Sequence, residues 1–221
     1  MPLSLTRPLK PAAGLGIVAA IAVHFLARPL LLWTLAPLAT LLILAIAFAN
    51  WRARKDRYSL LITIGLVFSL VGDVLLLWPE HFFTLGLSAF LLTHIAYLVA
   101  FTRDAHFPAR LGVWIPYLLF AASCNVLLFS RLPAGLRLPI VVYSVFLVSM
   151  AAQATGRSLL LRTAAARFAA IGTLLFVLSD TLLAVDRFYQ PLRLAPLLVL
   201  VPYYAAQWLI ASSTDDPPLP S

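Results

Sequence analysis

Residues 58–78 read YSLLITIGLVFSLVGDVLLLW, an apolar stretch of 21 residues with a single charged side chain, Asp73. An α-helix needs about 20 apolar residues to cross the hydrocarbon core of a bilayer. Segments of the same kind recur along the chain, separated by short clusters of Arg and Lys. The stretch therefore predicts a transmembrane helix, and its recurrence predicts an all-α, polytopic membrane protein.

Composition supports a membrane protein with one domain. The chain has 221 residues, of which 62% are apolar and 11% are charged, and its mean hydropathy is +0.98. Soluble domains are about half apolar and about a quarter charged, so a water-soluble globule is excluded. Eight spans of about 20 residues would take up about 160 residues, which leaves no room for a second, soluble domain.

The apolar segments between charge clusters predict eight transmembrane helices. Their approximate bounds are 12–27, 30–49, 58–78, 82–101, 111–130, 138–156, 168–185 and 194–211. Residues 1–10 are basic and precede an apolar run, as in a secretory signal, but we interpret that run as an uncleaved first helix. We expect an N-terminal tail over 1–11, a transmembrane domain over 12–211, and a polar, Pro-rich, disordered tail over 212–221.

The net charge of +8 does not predict binding to nucleic acid, because the basic residues flank apolar spans and form no stripe with interleaved aromatics. With eight spans, both termini lie on one side. Eleven of the 16 Lys and Arg residues fall on that side, and five fall on the other: Arg28, Arg131, Arg137, Arg187 and Arg193. The positive-inside rule therefore predicts cytoplasmic termini. We expect the membrane to be a bacterial inner membrane.

Two aspartates lie inside predicted spans that contain no basic residue. Asp73 follows Leu-Val-Gly in the third span, and Asp180 follows Val-Leu-Ser in the seventh. An ionisable group within a span is costly unless it is paired or hydrated, so each aspartate is by default a functional-site hypothesis. The alternative, in which both acids are structural and hydrogen-bonded to neighbouring helices, stays open at this point.

The surroundings of the two aspartates match each other. Gly65 and Gly172 each lie eight residues before their acid, a small residue precedes each acid, and a Leu-Leu pair follows at the same offset. The two frames are 107 residues apart, which favours two parallel four-helix repeats. Each acid lies about five residues before the outer end of its span, so we expect both carboxyls about 7–8 Å below that interface. The helix faces that carry these small residues predict that the two spans pack closely and share one site.

Other polar residues within the spans are candidates for binding substrate or supporting the acids. They are Ser69, His94, Tyr97, Asn125, Tyr143, Ser179, Tyr204 and Gln207. A lone membrane histidine is often only hydrogen-bonded across helices, and this interpretation of His94 stays open. No second His or Cys lies at metal-ligand spacing, and no Gly-rich phosphate loop or nucleophile elbow occurs. We therefore predict no metal and no cofactor, and a packing role for Cys124.

These segments together resemble the YhhN-like lysoplasmalogenase family. The residues that carry the resemblance are 65–76, Gly86, 89–97, Ala100 and Phe101, 138–150, 174–183, Phe188 and 204–207. They cover nearly the whole bundle in the right order. One segment departs from the pattern, because this chain has Ala36-Pro37-Leu38 where the family often has Lys-Pro-Leu.

The resemblance implies a hydrolase that cleaves the vinyl ether bond of lysoplasmalogens, releasing a fatty aldehyde and a glycerophospho-base. Its partners would be the lysophospholipid substrate and membrane lipids. A vinyl ether hydrolyses when an acid protonates its β-carbon and water attacks the resulting oxocarbenium ion. Asp73 and Asp180 suit these roles by analogy with the paired carboxylates of glycosidases, and either of them fits the role of the acid.

Other classes of function are compatible with the residues alone. Paired intramembrane acids in a duplicated bundle also suit a proton-coupled transporter of a small or lipidic substrate, although no helix breaks flank the acids. A lipid-binding or scaffold protein is a third hypothesis, and it would tolerate Asp-to-Asn changes. With the resemblance, we expect the hydrolase.

Overall fold

A computed structural model of the chain describes residues 29–215, with side chains described from Pro37 onward. Within that range the chain forms helices and turns and contains no strand. The helices are α1 (Pro29–Arg54), α2 (Arg57–Leu75), α3 (Pro79–Phe101), α4 (Leu111–Phe129), α5 (Ala134–Leu161), α6 (Ala164–Ala184), a π-helix (Val185–Tyr189) and α7 (Ala195–Ser212).

Six of these helices, α2 to α7, are long and apolar enough to cross a membrane. The protein is therefore an all-helical integral membrane protein. The predicted first span, residues 12–27, lies outside the described residues, and the predicted C-terminal tail lies mostly outside them. Predicted and observed bounds agree within three residues for α2, α3, α4 and α7. Helix α1 ends five residues later than predicted, α6 begins four residues earlier, and α5 begins four residues earlier and ends five residues later.

Two similar turns determine where α2 and α6 begin. Lys55 has φ 54° and ends α1, and the Asp56 carboxylate then accepts a hydrogen bond of 2.8 Å from the Ser59 amide. Arg162 has φ 56° and ends α5, and the Thr163 hydroxyl accepts a hydrogen bond of 3.1 Å from the Ala166 amide. A left-handed residue followed by a polar N-cap stops one helix and starts the next.

Glycines allow two pairs of consecutive helices to pack closely. A Cβ atom on Gly65 of α2 would lie 2.3 Å from the Tyr97 ring of α3, and one on Gly172 of α6 would lie 2.9 Å from the Ala206 carbonyl oxygen of α7. The glycine-bearing faces therefore pack α2 on α3 and α6 on α7. Our expectation that these faces bring the two acid-bearing helices together was wrong, because each glycine faces the helix that follows it in the chain.

Side-chain contacts near the helix ends mark the two ends of the bundle. At the first end, the Asn50 amide donates to the Thr214 hydroxyl at 2.7 Å, and Arg157 pairs with Asp104 at 2.5 Å. We call this the turn end, because it contains the turns at 55–56 and 162–163. At the second end, the π-helix end, the Arg131 guanidinium donates to the Tyr189 carbonyl at 3.2 Å.

Helix α4 is the most peripheral of the described membrane helices. It packs mainly on α5, and large apolar side chains along it are exposed, including Val126 at 76% and Leu111 at 71%. Apolar side chains that would be costly in water are expected to face lipid in a membrane protein. The outer position of α4 leaves space on its inner side, where the candidate site lies.

Candidate active site

A cavity of about 730 Å³ lies among helices α2 to α7 and the π-helix. Its walls are mainly apolar and include Leu76, Leu87, Phe90, Leu147 and Leu200. Its polar wall residues are Asp73, Asn125, Tyr143, Ser144, Ser179, Asp180, Thr181, Asp186, Tyr189, Gln190, Tyr203 and Tyr204. A mainly apolar cavity with a few convergent polar groups is the usual form of a small-molecule site. Both predicted acids thus line one cavity.

The carboxyl group of Asp180 is held by a tyrosine on the preceding helix. The Tyr143 hydroxyl of α5 donates a hydrogen bond of 2.6 Å to Asp180 Oδ2. His94 Nε2 of α3 lies 3.7 Å from the same oxygen, which is beyond hydrogen-bonding distance. The Asp180 side chain is 12% exposed, so it is mostly shielded and still accessible from the cavity.

The carboxyl group of Asp73 is held in a parallel way by different residues. The Thr40 hydroxyl of α1 donates a hydrogen bond to Asp73 Oδ2, and the side chain of Tyr203 on α7 also interacts with this carboxyl. In both cases the hydroxyl donor belongs to the helix just before the acid-bearing helix. The two carboxyls therefore hydrogen-bond to separate partners while facing the same cavity.

His94 is buried beside Asp180 and makes no hydrogen bond. Its side chain is 0% exposed, and both ring nitrogens lack a hydrogen-bond partner. The ring packs edge-on against Tyr143 at 4.9 Å and against Phe176 at 5.0 Å between centroids. A buried polar atom without a partner is costly, and this unpartnered imidazole lies next to the Asp180 carboxyl.

A buried hydrogen-bond network lies behind the cavity wall. The Tyr97 hydroxyl donates to Gln207 Oε1 at 2.7 Å, and Gln207 Nε2 donates to Ser69 Oγ at 2.7 Å and to the Tyr203 hydroxyl at 3.3 Å. The Ser69 hydroxyl is also 3.1 Å from that of Thr93. The network joins α2, α3 and α7 and ends at Tyr203, which interacts with Asp73. Of its members, Tyr203 lines the cavity and the others lie behind the wall.

The other predicted residues lie on the cavity wall. Asn125 Nδ2 of α4 donates to Ser144 Oγ of α5 at 2.8 Å, and the Ser179 hydroxyl of α6 donates to the Val199 carbonyl of α7 at 2.9 Å. Tyr204 is buried and also borders the cavity. Cys124 is a half-buried free thiol that also borders the cavity.

The structure therefore brings together six of the predicted site residues around the cavity and leaves four behind its wall. The six are Asp73, Asn125, Tyr143, Ser179, Asp180 and Tyr204, and the four are Ser69, His94, Tyr97 and Gln207. Three further residues of the site, Thr40, Thr93 and Ser144, were not predicted from the sequence. Each is a hydroxyl in an otherwise apolar helix, which is a weak signal because hydroxyls also bond to their own helix backbone.

The donor set of the cavity suits proton transfer. It offers two carboxyl groups, each hydrogen-bonded to at least one hydroxyl group, and one nearby imidazole. Within residues 29–215 no group of three or more His, Cys, Asp or Glu side chains could hold a metal ion. Carboxyl groups in a water-poor cavity can act as general acid and general base toward a bound substrate.

Comparison with known proteins identifies the family. The YhhN family model matches residues 31–214. The lysoplasmalogenase TMEM86B of Sus scrofa is 37% identical over 161 residues, which are 73% of this chain and 66% of that protein. The lysoplasmalogenase TMEM86B of Homo sapiens is 34% identical over 191 residues, which are 85% of this chain and 78% of that protein.

A bacterial relative is more distant. The uncharacterized membrane protein YhhN of Escherichia coli O157:H7 is 27% identical over 182 residues, which are 82% of this chain and 86% of that protein. No solved structure matches the chain. Because the family model covers most of the chain and the human relative is aligned over more than two thirds of its own length, this protein belongs to the YhhN family.

Proposed function

We propose that the protein hydrolyses the vinyl ether bond of lysoplasmalogens, converting the lysolipid and water into a fatty aldehyde and a glycerophospho-base. The observation that carries the proposal is one apolar cavity with two intramembrane carboxyl groups on its wall. The similarity to lysoplasmalogenases of two mammals supports this choice of substrate. The apolar walls suit an alkenyl chain, and the acids suit the ether bond at its end.

The proposed mechanism uses both aspartates. One, as the carboxylic acid, transfers its proton to the β-carbon of the vinyl ether, which leaves an oxocarbenium ion. The other, as the carboxylate, stabilises that cation and accepts a proton from the water that attacks the α-carbon. The resulting hemiacetal breaks its bond to the glycerol oxygen, which takes up a proton, and the aldehyde leaves. Two carboxyl groups divide the same tasks in glycosidases, which is an analogy of chemistry and not of fold.

Supporting roles follow from the contacts of each residue. Tyr143 and Thr40 each donate to one carboxyl and fix its orientation. His94 lies 3.7 Å from Asp180 Oδ2, so a small movement would allow it to exchange a proton with this carboxyl. The same buried site needs no cofactor for this reaction.

We also propose that the chain consists of two parallel four-helix repeats, with eight spans in total. Several features recur 107 residues apart: the left-handed residues Lys55 and Arg162, the N-caps Asp56 and Thr163, the glycines 65 and 172, and the acids 73 and 180. Helix pairing supports the same register, because α2 packs on α3 as α6 packs on α7. The first span of the first repeat would be residues 12–27.

We propose that the transmembrane domain covers residues 12–211, between an N-terminal tail over 1–11 and a C-terminal tail over 212–221. Both termini would face the cytoplasm of a bacterial cell, with the protein in the inner membrane. The distribution of basic residues supports this orientation, because the turn end carries most of them. The cavity would then lie nearer the outer leaflet, since the acids lie toward the π-helix end of α2 and α6.

An assay of aldehyde release by the purified protein tests the proposed function. We expect aldehyde from a lysoplasmalogen and none from a lysolipid of the same head group with an ester-linked chain, because an ester has no alkene to protonate. Release of fatty acid from the ester lipid, or no product from either lipid, would contradict the proposal. Proton-coupled uptake of a solute into proteoliposomes, without aldehyde release, would favour a transporter instead.

A further inference from the structure

Two arginines flank the π-helix end of the cavity. The Arg131 guanidinium donates to the Tyr189 carbonyl at 3.2 Å and lies 4.9 Å from the centre of the Tyr189 ring. The Arg187 guanidinium lies 4.3 Å from the centre of the Phe83 ring and donates to the Pro79 carbonyl at 3.5 Å. Tyr189 and Phe83 are both wall residues of the cavity. The two cations are therefore attached to the rim of the site.

Both guanidinium groups retain most of their hydrogen-bonding capacity. An arginine has five N–H donors, and each of these side chains uses one of them on a backbone carbonyl. Both residues are exposed, and neither forms an ion pair with an acidic side chain in the described part of the chain. The nearby Asp186 carboxylate instead accepts a hydrogen bond of 2.7 Å from the Leu192 amide. Exposed guanidinium groups without a carboxylate partner are well suited to an external anion.

The spacing along α6 and the π-helix suits the dimensions of a lysoplasmalogen. Arg187 follows Asp180 by seven residues, which is about 10 Å along a helix axis. Five bonds separate the vinyl ether oxygen from the phosphorus of the lipid, about 6 Å when extended. A charged hydrogen bond from guanidinium to phosphate adds about 3 Å. A lipid with its ether bond beside the acids thus brings its phosphate to the level of the arginines.

We propose that Arg131 and Arg187 bind the phosphate of the substrate head group, so that the lysolipid lies with its head group at the π-helix end and its chain among the apolar walls. The identity of the lipid rests on the proposed function. The polar wall residues Tyr189 and Gln190 lie at the same end, next to the position of the glycerol and phosphate groups.

A binding experiment with non-reactive lipids tests this inference without relying on turnover. The probes are a saturated 1-alkyl lysophospholipid, which has no vinyl ether, and the corresponding 1-alkylglycerol, which has no phosphate. For the double variant Arg131→Gln/Arg187→Gln we expect the Kd of the phospholipid to rise roughly ten-fold or more, because two charged hydrogen-bond donors are lost. The Kd of the alkylglycerol should change less than about two-fold.

Two further variants make the result specific. Arg137→Gln is the matched control, because Arg137 lies at the same end but stacks on Phe129, which is not a wall residue. The Kd values of this variant for both lipids should match those of the wild type. Arg131→Lys/Arg187→Lys keeps both charges and should keep most of the preference for the phospholipid. An equal loss of affinity for both lipids, or no loss for either, would overturn the inference. If wild type binds the phospholipid tightly yet releases no aldehyde from lysoplasmalogen, the hydrolase proposal fails and phosphate binding stands.

Discussion

At the residue scale, the two aspartates are equivalent in how they are held and different in what surrounds them. Asp73 accepts from Thr40 of α1, and Asp180 accepts from Tyr143 of α5, so each acid depends on the helix before it. Asp180 also has His94 nearby, whereas Asp73 has Tyr203. The acids themselves were predictable, because a lone charge in an apolar span is visible in the sequence. Their hydroxyl donors were not, since helix rotation decides which residues face a neighbouring carboxyl.

Removing either acid should abolish catalysis. Asparagine keeps the size and polarity of aspartate but carries no acidic proton and no negative charge. General acid or base catalysis contributes about 10²–10⁴ in rate, so we expect Asp73→Asn and Asp180→Asn each to leave less than about 1% of aldehyde release. The double variant should be scarcely worse than either single variant, because the two groups act as one unit.

The control for this prediction is Asp56→Asn, since asparagine is also a good N-cap and Asp56 caps α2 far from the cavity. This variant should keep near wild-type activity. Size-exclusion profiles and lysolipid binding should be normal for all the variants. Wild-type turnover in either Asp73→Asn or Asp180→Asn would rule out the two-aspartate mechanism.

Removing one hydroxyl donor should have a smaller effect than removing an acid. Thr40→Val and Tyr143→Phe keep the shape of the side chain and delete one hydrogen bond to a carboxyl group. Hydrogen bonds to charged groups contribute about 1.5–3 kcal/mol, so we expect aldehyde release to fall roughly ten-fold or more in each variant. The matched control is Tyr117→Phe, whose hydroxyl lies 2.8 Å from that of Thr155 and outside the cavity. Equal activity in Tyr143→Phe and Tyr117→Phe would show that the donor has no catalytic role.

At the element scale, the helices were predictable from charge clusters because membrane spans exclude unpaired charges. At the end of α5 the prediction failed because a charge there has a partner. Arg157 suggested the end of the sixth span, yet α5 continues to Leu161. The arginine is only 4% exposed, because it forms two hydrogen bonds of 2.5 and 2.6 Å with Asp104 and lies 4.9 Å from the Tyr58 ring centre. These partners come from distant parts of the chain, so no local pattern could predict them.

The close packing of α6 on α7 predicts a strict requirement for glycine at position 172. A Cβ there would lie 2.9 Å from the Ala206 carbonyl oxygen and 2.8 Å from Ile210 Cγ1. A backbone oxygen cannot swing aside, so the helices must separate, and overpacking of this kind costs about 1–3 kcal/mol. We expect Gly172→Ala to lower the apparent Tm in detergent by several degrees. Gly112→Ala is the control, since nothing lies within 4 Å of a Cβ at that position; similar Tm values for the two variants would contradict the packing argument.

At the scale of the whole molecule, the proposed repeat would explain why one chain has two similar acids on one cavity. The matching frames around Asp73 and Asp180 were visible in the sequence, and the turns at Lys55 and Arg162 extend the same 107-residue offset. The 107-residue offset does not continue past the two acids. A short turn connects α2 to α3, whereas the π-helix and a loop connect α6 to α7. That insertion carries Arg187 and wall residues of the cavity. The asymmetry therefore lies where a head group would bind, and a pattern search for repeats could not predict it.

The orientation of the whole molecule gives the last prediction. In residues 29–215, nine Lys and Arg residues lie toward the turn end and four toward the π-helix end, and basic residues near span ends are retained in the cytoplasm. With eight spans, a reporter fused after Ser221 should be cytoplasmic, and one inserted in the 131–137 loop should be on the opposite side. A pair of reporters, one active only in the cytoplasm and one only outside it, measures both positions. A reporter inserted at residues 104–106, at the turn end, is the control and should match Ser221. If Ser221 and the 131–137 loop report the same side, the span count is wrong; if all three sites are inverted, the span count stands, and the cavity would receive its substrate from the cytoplasmic leaflet.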